Sequence, residues 1–147
     1  MTKSIIEINS SGDFFEYSFS FTQSDVDSFA EISGDKNPIH LDEAYASKSI
    51  FGKRIIHGFL GGSVFSKIFG TIFPGEGTLY LNQTMTFYKP MHTNTPYKAT
   101  FLVKEIFESK NRALVETKIL DSSENTIISG EALIQNCRIS SVKNEGR

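Results

Sequence analysis

Residues 59–73 read FLGGSVFSKIFGTIF, and Lys67 is the only charged residue in this stretch. A helix that is apolar on nearly every side cannot face water, so the rest of the fold has to enclose it. Gly58, Gly62 and Ser66 recur at intervals of one helical turn. We therefore expect one face of small residues that another backbone or a ligand can approach closely.

Alternating polar and apolar residues predict the strands that enclose this helix. One such run, 15–21, precedes the helix, and four follow it at 79–87, 97–103, 113–119 and 128–134. The short, turn-rich connections between the later runs predict that these four strands form an antiparallel meander. Early helices, late strands and an apolar helix that needs a sheet around it together predict an α+β domain.

Composition bounds the class of protein. The chain has 147 residues, 39% hydrophobic and 22% charged, which fits one globular domain over 1–147. We expect its core at about 15–137 and a polar tail at 138–147 that is disordered at its end. The net charge of −2 gives no basic surface for nucleic acid and no polybasic membrane patch.

The single cysteine, Cys137, cannot form an internal disulfide. We expect it to be a buried structural thiol in a protein of a reducing compartment. No apolar run approaches transmembrane length. The sequence therefore predicts a soluble, cytoplasmic protein.

A loop at 34–40, GDKNPIH, precedes the apolar helix. Because Pro38 fixes its own φ and pushes Asn37 toward an extended conformation, the loop should be stiff. A stiff loop can aim Asp35 and His40 into one space, as a paired general acid and base requires. The residues alone leave a second interpretation open, in which the acid and the amide form an ordinary turn.

Two helices are predicted beside this loop. One is capped by Thr22 or Ser24, runs to about Ile32 and stops at Gly34. A short one follows the loop, and Asp42 can cap it. The loop is therefore held at both ends by regular structure.

The loop and its surroundings resemble the signature of the MaoC-like (R)-specific enoyl-CoA hydratases. The matching positions are Phe29, Ser33, Gly34, Asp35, Asn37, Pro38, Ile39, His40 and Ala46. The resemblance covers about 15–137 and implies the hot-dog fold, a curved antiparallel sheet wrapped around one long central helix. It also implies that Asp35 and His40 hold the water that interconverts a trans-2-enoyl-CoA and a (3R)-3-hydroxyacyl-CoA. Which of the two takes the proton of the water stays open.

The His-Gly pair that opens the family's central helix matches His57 and Gly58, and the resemblance assigns Gly58 as the oxyanion donor. Unpaired N–H groups and the helix dipole favour negative charge at that point. The alternative is a glycine that merely fits a tight junction. The resemblance implies a supporting role for Ser66, which can instead bond its own helix. Asn37 is expected to orient the loop, and His57 to support it.

Other chemistries fit the residues less well. The three histidines, His40, His57 and His92, lie on different predicted elements without short ligand spacing, so no metal site is predicted. Hot-dog thioesterases typically carry a carboxylate on or near the central helix, and residues 58–73 contain none. No cofactor is expected, because the thioester of the substrate activates the double bond.

The expected small-molecule partner is an acyl-CoA thioester. Two rival functions stay open: a dehydratase acting on acyl carrier protein, and a non-catalytic acyl-CoA-binding protein. We expect Gly61 and Gly62 to leave room for an acyl chain beside the central helix. Members of the family pair through their sheets, and an exposed sheet edge favours partners, so a homodimer is expected. Candidate contacts for the carrier phosphates are Lys36, Lys48, Lys53, Arg54, Lys67 and Lys89.

Overall fold

The computed structural model describes residues 5–141, and its helices precede most of its strands, as predicted. In chain order the elements are β1 (Phe14–Phe19), α1 (Gln23–Ser33), α2 (Pro38–Leu41), α3 (Glu43–Ser47), α4 (Gly58–Thr71), β2 (Leu79–Gln83), β3 (Thr86–Phe87), β4 (Tyr97–Phe107), β5 (Arg112–Leu120) and β6 (Thr126–Gln135). A 3₁₀ turn, Glu108–Lys110, joins β4 to β5. Within this part of the chain, no helix combines the length and apolar character that a membrane crossing needs.

The strands form one six-stranded antiparallel sheet with the order β1-β4-β5-β6-β2, and β3 also pairs with β6. The predicted meander is confirmed for β4, β5 and β6. It is wrong for β2, which lies against β6 at the opposite end of the sheet from β1. Periodicity reports which face a strand buries and contains no information about its neighbour.

The strand predicted at 79–87 is two strands, because the chain crosses β6 closely between them. A Cβ atom at Gly130 would overlap the carbonyl oxygen of Thr84. Thr84 also donates its N–H to the Glu131 carbonyl at 2.9 Å and accepts the Glu131 N–H on its hydroxyl at 2.9 Å. This crossing over a glycine replaces regular pairing and separates β2 from β3.

The sheet covers one side of α4, and the predicted alternation of buried residues is confirmed on β4 from 97 to 103 and on β5. On β6 it is interrupted, because Ile127 and Ile128 are both buried and Gly130 is only partly buried. Phe65 and Phe69 of α4 pack edge-to-face on Phe101 of β4, with ring centroids 5.8 and 5.2 Å apart. Such pairs favour one arrangement of a core beyond the area they bury. The expectation of nearly complete enclosure is wrong for one face of the helix, because Phe59 is 68% exposed and Ser63, Ser66, Lys67 and Gly70 further along are also exposed.

The core extends beyond its predicted limits at both ends. Ile8 and Ile139 are fully buried, and Arg138 bonds the Glu76 carbonyl at 2.6 Å and the Glu7 carboxylate at 3.0 Å. The first residues of the predicted polar tail are therefore packed against the domain. The expected disorder at the end of the tail concerns residues 142–147, which lie outside the described part of the chain.

Cys137 is exposed, so the prediction of a buried thiol is wrong. The preceding residue, Asn136, takes the buried position instead. Its side-chain amide donates to the Glu76 carbonyl at 3.0 Å and to the Thr78 hydroxyl at 3.1 Å. These bonds satisfy the amide at the end of β6, and the next side chain points to solvent.

Candidate active site

Local signals place the site loop at the end of α1. The Thr22 hydroxyl accepts the Asp25 N–H at 3.2 Å, and the Asp25 carboxylate accepts the Thr22 N–H at 2.8 Å. This capping box opens the helix at one of the two predicted residues. The helix ends at Gly34, whose φ of 78° lies in the left-handed region that glycine adopts without strain. Asp35 follows immediately.

Asn37 and Asp42 hold the loop as helix caps. The Asn37 side-chain oxygen accepts the Ile39 N–H at 3.2 Å and opens α2, whose first residue is Pro38. The Asp42 carboxylate accepts the Tyr45 N–H at 3.1 Å and opens α3, as predicted. The turn interpretation therefore describes these two side chains well, and their bonds stiffen the loop that carries the acid and the imidazole.

Asp35 is left largely available for chemistry. Its side chain is exposed and accepts one long hydrogen bond, from the Asn37 N–H at 3.3 Å. A carboxylate can accept several hydrogen bonds. Most of that capacity therefore remains open to a bound water.

His40 is buried and held in one tautomer. Its Nδ1 lies 2.9 Å from the Ile55 carbonyl oxygen, so Nδ1 carries the proton and Nε2 keeps a lone pair. Burial is the main reason that the pKa of His40 is lowered, and the His57 ring adds to this, while the Ile55 bond and Asp35 oppose it. A neutral imidazole with a free Nε2 is the form that can accept a proton.

His57 holds both members of the pair. Its Nε2 donates to the Asp35 carbonyl at 2.9 Å, and its ring stacks on His40 with centroids 3.8 Å apart. Phe29 packs edge-on against the other side of the His57 ring at 4.8 Å. The ring is 2% exposed, and its Nδ1 has no hydrogen-bond partner among residues 5–141. These contacts fit the supporting role predicted for His57.

The fold brings three side chains together: Asp35, His40 and His57. Each has one potential metal-ligating atom within 4.8 Å of such an atom of the other two. His40 and His57 lie on different elements, as expected, and the fold brings their rings together. His92 sits elsewhere, 3.3 Å from the Arg54 carbonyl. Imidazole lone pairs lie in the ring plane, and the two stacked rings are only 27° apart in orientation. Their lone pairs do not converge on one ion, so the geometry favours proton transfer over metal binding.

Gly58 opens α4 directly after this cluster. Its N–H has no acceptor in the described part of the chain, whereas the N–H groups of Leu60 and Gly61 bond the His57 carbonyl at 3.0 and 3.2 Å. A Cβ atom at Gly58 would lie 2.6 Å from the Phe87 ring. The glycine thus leaves an unpaired donor at the positive end of a 14-residue helix.

A cavity of about 430 Å³ begins at Gly58. Its other lining residues are almost all apolar: Phe51, Ile55, Ile56, Phe59, Phe87, Tyr88, Lys89, Pro90, Met91 and Ile128. Ile55, whose carbonyl holds the His40 imidazole, is one of them. Asp35, His40 and His57 are not among its lining residues, so the cavity reaches the acid–imidazole pair only through Ile55 and Gly58. An apolar cavity with a free N–H donor on its wall can hold an activated carbonyl compound.

A family model described as MaoC like domain matches residues 12–125, which include Asp35, His40, His57 and Gly58. The chain belongs to the MaoC-like dehydratase family. The matched region runs from β1 into the β5–β6 connection. It therefore takes in the whole of the site loop and the central helix.

Two curated relatives and one solved structure illustrate the similarity. The 3-hydroxybutyryl-CoA dehydratase of Methylorubrum extorquens is 37% identical over 114 residues, covering 78% of this chain and 72% of the relative. The (R)-specific enoyl-CoA hydratase of Aeromonas caviae is 35% identical over 115 residues, covering 78% and 86%. The unliganded R-hydratase of Pseudomonas aeruginosa superposes with a TM-score of 0.82 at 38% identity, covering 86% and 81%. The MaoC-like chain therefore has the hot-dog fold and belongs to a family of hydro-lyases.

Ser66 is the predicted site residue that a single copy of this MaoC-like chain does not bring to the others. It is exposed, and in residues 5–141 it makes no hydrogen bond through its side chain. It lies two turns beyond Gly58, about 12 Å along the helix axis. Its supporting role stays a prediction.

Methionine side chains lie beside Gly61 and Gly62, while Gly62 also lines a separate cavity with Phe59, Ser63 and Met85, so the expected room for an acyl chain stays a prediction. A Cβ atom at Gly61 would lie 2.7 Å from the Met91 sulfur, and one at Gly62 would lie 2.6 Å from the Met85 sulfur. Sequence reasoning missed that these methionines, and Phe87 at Gly58, fill the small face of the helix. The alternation of 79–87, which places Met85 and Phe87 on one face, was the signal that could have found two of them.

Proposed function

We propose that this MaoC-like protein is an (R)-specific enoyl-CoA hydratase, which adds water reversibly to trans-2-enoyl-CoA and gives (3R)-3-hydroxyacyl-CoA. The observation that carries the proposal is the cluster of Asp35, His40 and His57, whose side-chain atoms lie within 4.8 Å of one another, with the Gly58 N–H following His57 at the start of α4. Hydration needs these three functions: an acceptor that orients water, a base, and a donor for the thioester oxygen. The names of the relatives support the substrate class.

In the proposed mechanism, Asp35 accepts one hydrogen of the water and orients its oxygen toward C3 of the enoyl group. Neutral His40 takes the other proton through Nε2 as the C3–O bond forms. The electron pair of the C2=C3 double bond shifts toward the thioester carbonyl and gives an enolate-like oxygen. The imidazolium then returns the proton to C2 as the enolate collapses, so that one water has been added and both groups are restored.

Gly58 is the proposed oxyanion donor. The charge on the thioester oxygen exists only during the reaction, so a fixed N–H aimed at it lowers the barrier without tightening substrate binding. The helix dipole of α4 adds to this stabilisation. His57 is proposed as a positioning residue, because it bonds the Asp35 backbone and stacks on His40.

The proposal includes a homodimer. Phe59, Leu81, Phe87 and Tyr88 are large apolar residues that lie exposed on the first turn of α4 and at the β2–β3 side of the sheet. Strand β2 ends the sheet order, so its outer edge can pair with another strand. We expect light scattering at micromolar concentration to show a dimer and Leu81→Asp to weaken it; a monomeric parent protein would contradict this part.

The test of the activity is hydration of crotonyl-CoA, followed through loss of the conjugated thioester absorbance, with chiral chromatography of the product. Asp35→Asn and His40→Gln should each lower kcat/KM by about 10² or more while thermal unfolding stays cooperative. Crotonyl-acyl carrier protein serves as the second substrate. A marked preference for that carrier would favour the dehydratase alternative, and tight acyl-CoA binding without turnover on any chain length would favour a binding protein.

A further inference from the structure

The cavity that begins at Gly58 carries one cation on an otherwise apolar wall. Lys89 lines it, between Tyr88 and Pro90. The backbone beside Lys89 is held on two sides, because Tyr88 donates its N–H to the Ile127 carbonyl at 2.9 Å and Ile56 donates to the Met91 carbonyl at 2.8 Å. The position of Lys89 at this cavity is therefore set by the fold.

Most other cations that the sequence offered are engaged elsewhere. Lys36 pairs with Glu31 at 3.1 Å, and Arg54 pairs with Glu43 at 2.9 Å. Lys67 donates to the Tyr17 hydroxyl at 2.6 Å in a separate groove between β1, α1 and α4. Lys48 lines a third depression, with Asp42. None of these four is a lining residue of the cavity at Gly58.

Of the six candidate cations, Lys89 and Lys53 remain. Neither forms an ion pair among the residues that the structure describes. Hydrogen bonds from Asn125 lower the pKa of the Asp121 carboxylate, and the charge of Lys89 does reach that carboxylate and adds to this effect. Lys53 follows the lining residue Phe51 by two positions. His92, whose Nδ1 is 3.3 Å from the Arg54 carbonyl, lies near enough to Lys53 for that charge to help burial lower the pKa of His92.

The separation of Lys89 from Gly58 is compatible with the arm that joins a thioester to the first phosphate of its carrier. Phe87 contacts the Gly58 position, and Lys89 lies two residues beyond Phe87, so their Cα atoms are at most about 7 Å apart before the Lys89 side chain is counted. Coenzyme A and the prosthetic group of acyl carrier protein both place a flexible, mainly uncharged arm between the thioester and the first phosphate. A cation on the wall of an apolar cavity can bind such a molecule where its charge begins.

We propose that Lys89, together with Lys53, binds the phosphate of the substrate's carrier. This inference rests on the proposed hydratase function for its substrate. It concerns a separate group of residues, and its failure can be told apart from failure of the catalytic assignment. The shared chemistry is a phosphate ester at the end of a pantetheine arm.

The experiment compares three crotonyl thioesters: crotonyl-CoA, crotonyl-phosphopantetheine and crotonyl-pantetheine, which carries no phosphate. Lys89→Met keeps an unbranched apolar stem and removes the charge. We expect it to raise KM for crotonyl-CoA by about tenfold with kcat nearly unchanged. Its KM for crotonyl-pantetheine should equal that of the parent protein. Lys53→Met should show a smaller effect of the same kind, and crotonyl-phosphopantetheine should report whether the first phosphate is the one bound.

Two further lysine variants make the result specific. Lys110→Met removes an exposed charge from the 3₁₀ turn, outside every cavity discussed above, and should leave all three KM values unchanged. Lys67→Met tests the separate groove. If Lys67→Met selectively raises KM for crotonyl-CoA and Lys89→Met does not, the carrier enters through that groove and the proposal is overturned. An equal rise for crotonyl-pantetheine in Lys89→Met overturns it as well, because the loss is then one of packing.

A binding measurement decides the inference even without turnover. Calorimetric titration with free coenzyme A should show weaker binding to Lys89→Met than to the parent protein and to Lys110→Met. If the parent protein is inactive but this difference is present, the hydratase assignment fails and the phosphate site stands. If the parent protein is active and the three proteins bind coenzyme A equally, the phosphate site fails alone.

Discussion

Replacing Gly58 by alanine tests whether contact with Phe87 positions the proposed oxyanion donor. The added Cβ would lie 2.6 Å from Cε1 and 2.8 Å from Cδ1 of Phe87, whereas carbon atoms in contact are about 3.5–4.0 Å apart. The ring or the first turn of α4 must therefore move by about 1 Å. Because a displacement of that size at a catalytic group costs about 10² in rate, we expect kcat/KM for crotonyl-CoA to fall by about 10², or about 2.7 kcal/mol.

Two variants separate this displacement from a general effect of alanine in the helix. At Gly70, on the same helix, an added Cβ meets no atom within 4 Å. Gly70→Ala should therefore leave the rate unchanged and stabilise the protein by up to about 1 kcal/mol. In a Phe87→Ala background the cause of the displacement is gone, so Gly58→Ala should cost no more than about twofold there.

The assay is steady-state hydration of crotonyl-CoA for the four proteins of this double-mutant cycle, with thermal unfolding as the check on folding. Phe87 is 47% exposed in a single copy of the chain, and the partner in the proposed dimer would limit how far its ring can swing outward. A Gly58→Ala protein with the parent rate would show that the ring yields and the donor does not move. Equal losses in both backgrounds would show that Phe87 has no part in the effect. Either result refutes the reasoning.

Three further predictions concern the site and the sheet. Because the pKa of His40 lies below the ordinary 6.5 and the neutral ring is the proposed base, kcat/KM should stay level down to that pH and decline only below it. The lowered pKa also makes the folded protein less stable as the pH falls below 6.5, because the unfolded chain then binds the proton more readily; urea unfolding at two pH values would show this. A decline of kcat/KM that begins above pH 6.5 would contradict the assignment of His40 as the base. His57→Phe keeps the ring stacked on His40 but loses the hydrogen bond to the Asp35 carbonyl, so kcat/KM should fall by about tenfold. The pH at which kcat/KM declines should rise, because His57 helps lower the pKa of His40. An unchanged pH profile would contradict this role of His57. Gly130→Ala places a methyl group on the Thr84 carbonyl and should lower the free energy of unfolding by more than about 3 kcal/mol. A urea unfolding curve equal to that of the parent protein would contradict this.

The fold shows where local reasoning succeeds. Thr22 caps α1, Gly34 ends it, and the alternating runs at 97–103 and 113–119 bury the expected faces. Each of these features depends on residues within a few positions of one another, through a capping hydrogen bond, a left-handed φ or the period of a strand. Features of this kind can be predicted from the order of neighbouring residues in the sequence.

Errors of prediction arose wherever two distant segments meet. The alternation of 79–87 could not report that Thr84 crosses Gly130, or that β2 lies beside β6. The expected burial of Cys137 was wrong because the sequence around it does not indicate that Asn136 donates hydrogen bonds to the Glu76 carbonyl and the Thr78 hydroxyl. These outcomes depend on which surfaces compete for the same interior space.

The candidate site divides in the same way. Asp35, Asn37, Pro38 and His40 could be identified from the sequence, because a stiff seven-residue loop carries its own conformation and a recognisable motif. The stacking of His57 on His40, the tautomer set by the Ile55 carbonyl and the Phe87 ring against Gly58 belong to the tertiary structure alone. Those contacts join residues that are 15 or more positions apart, and only packing of the loop, the central helix and the sheet against one another brings them within bonding distance.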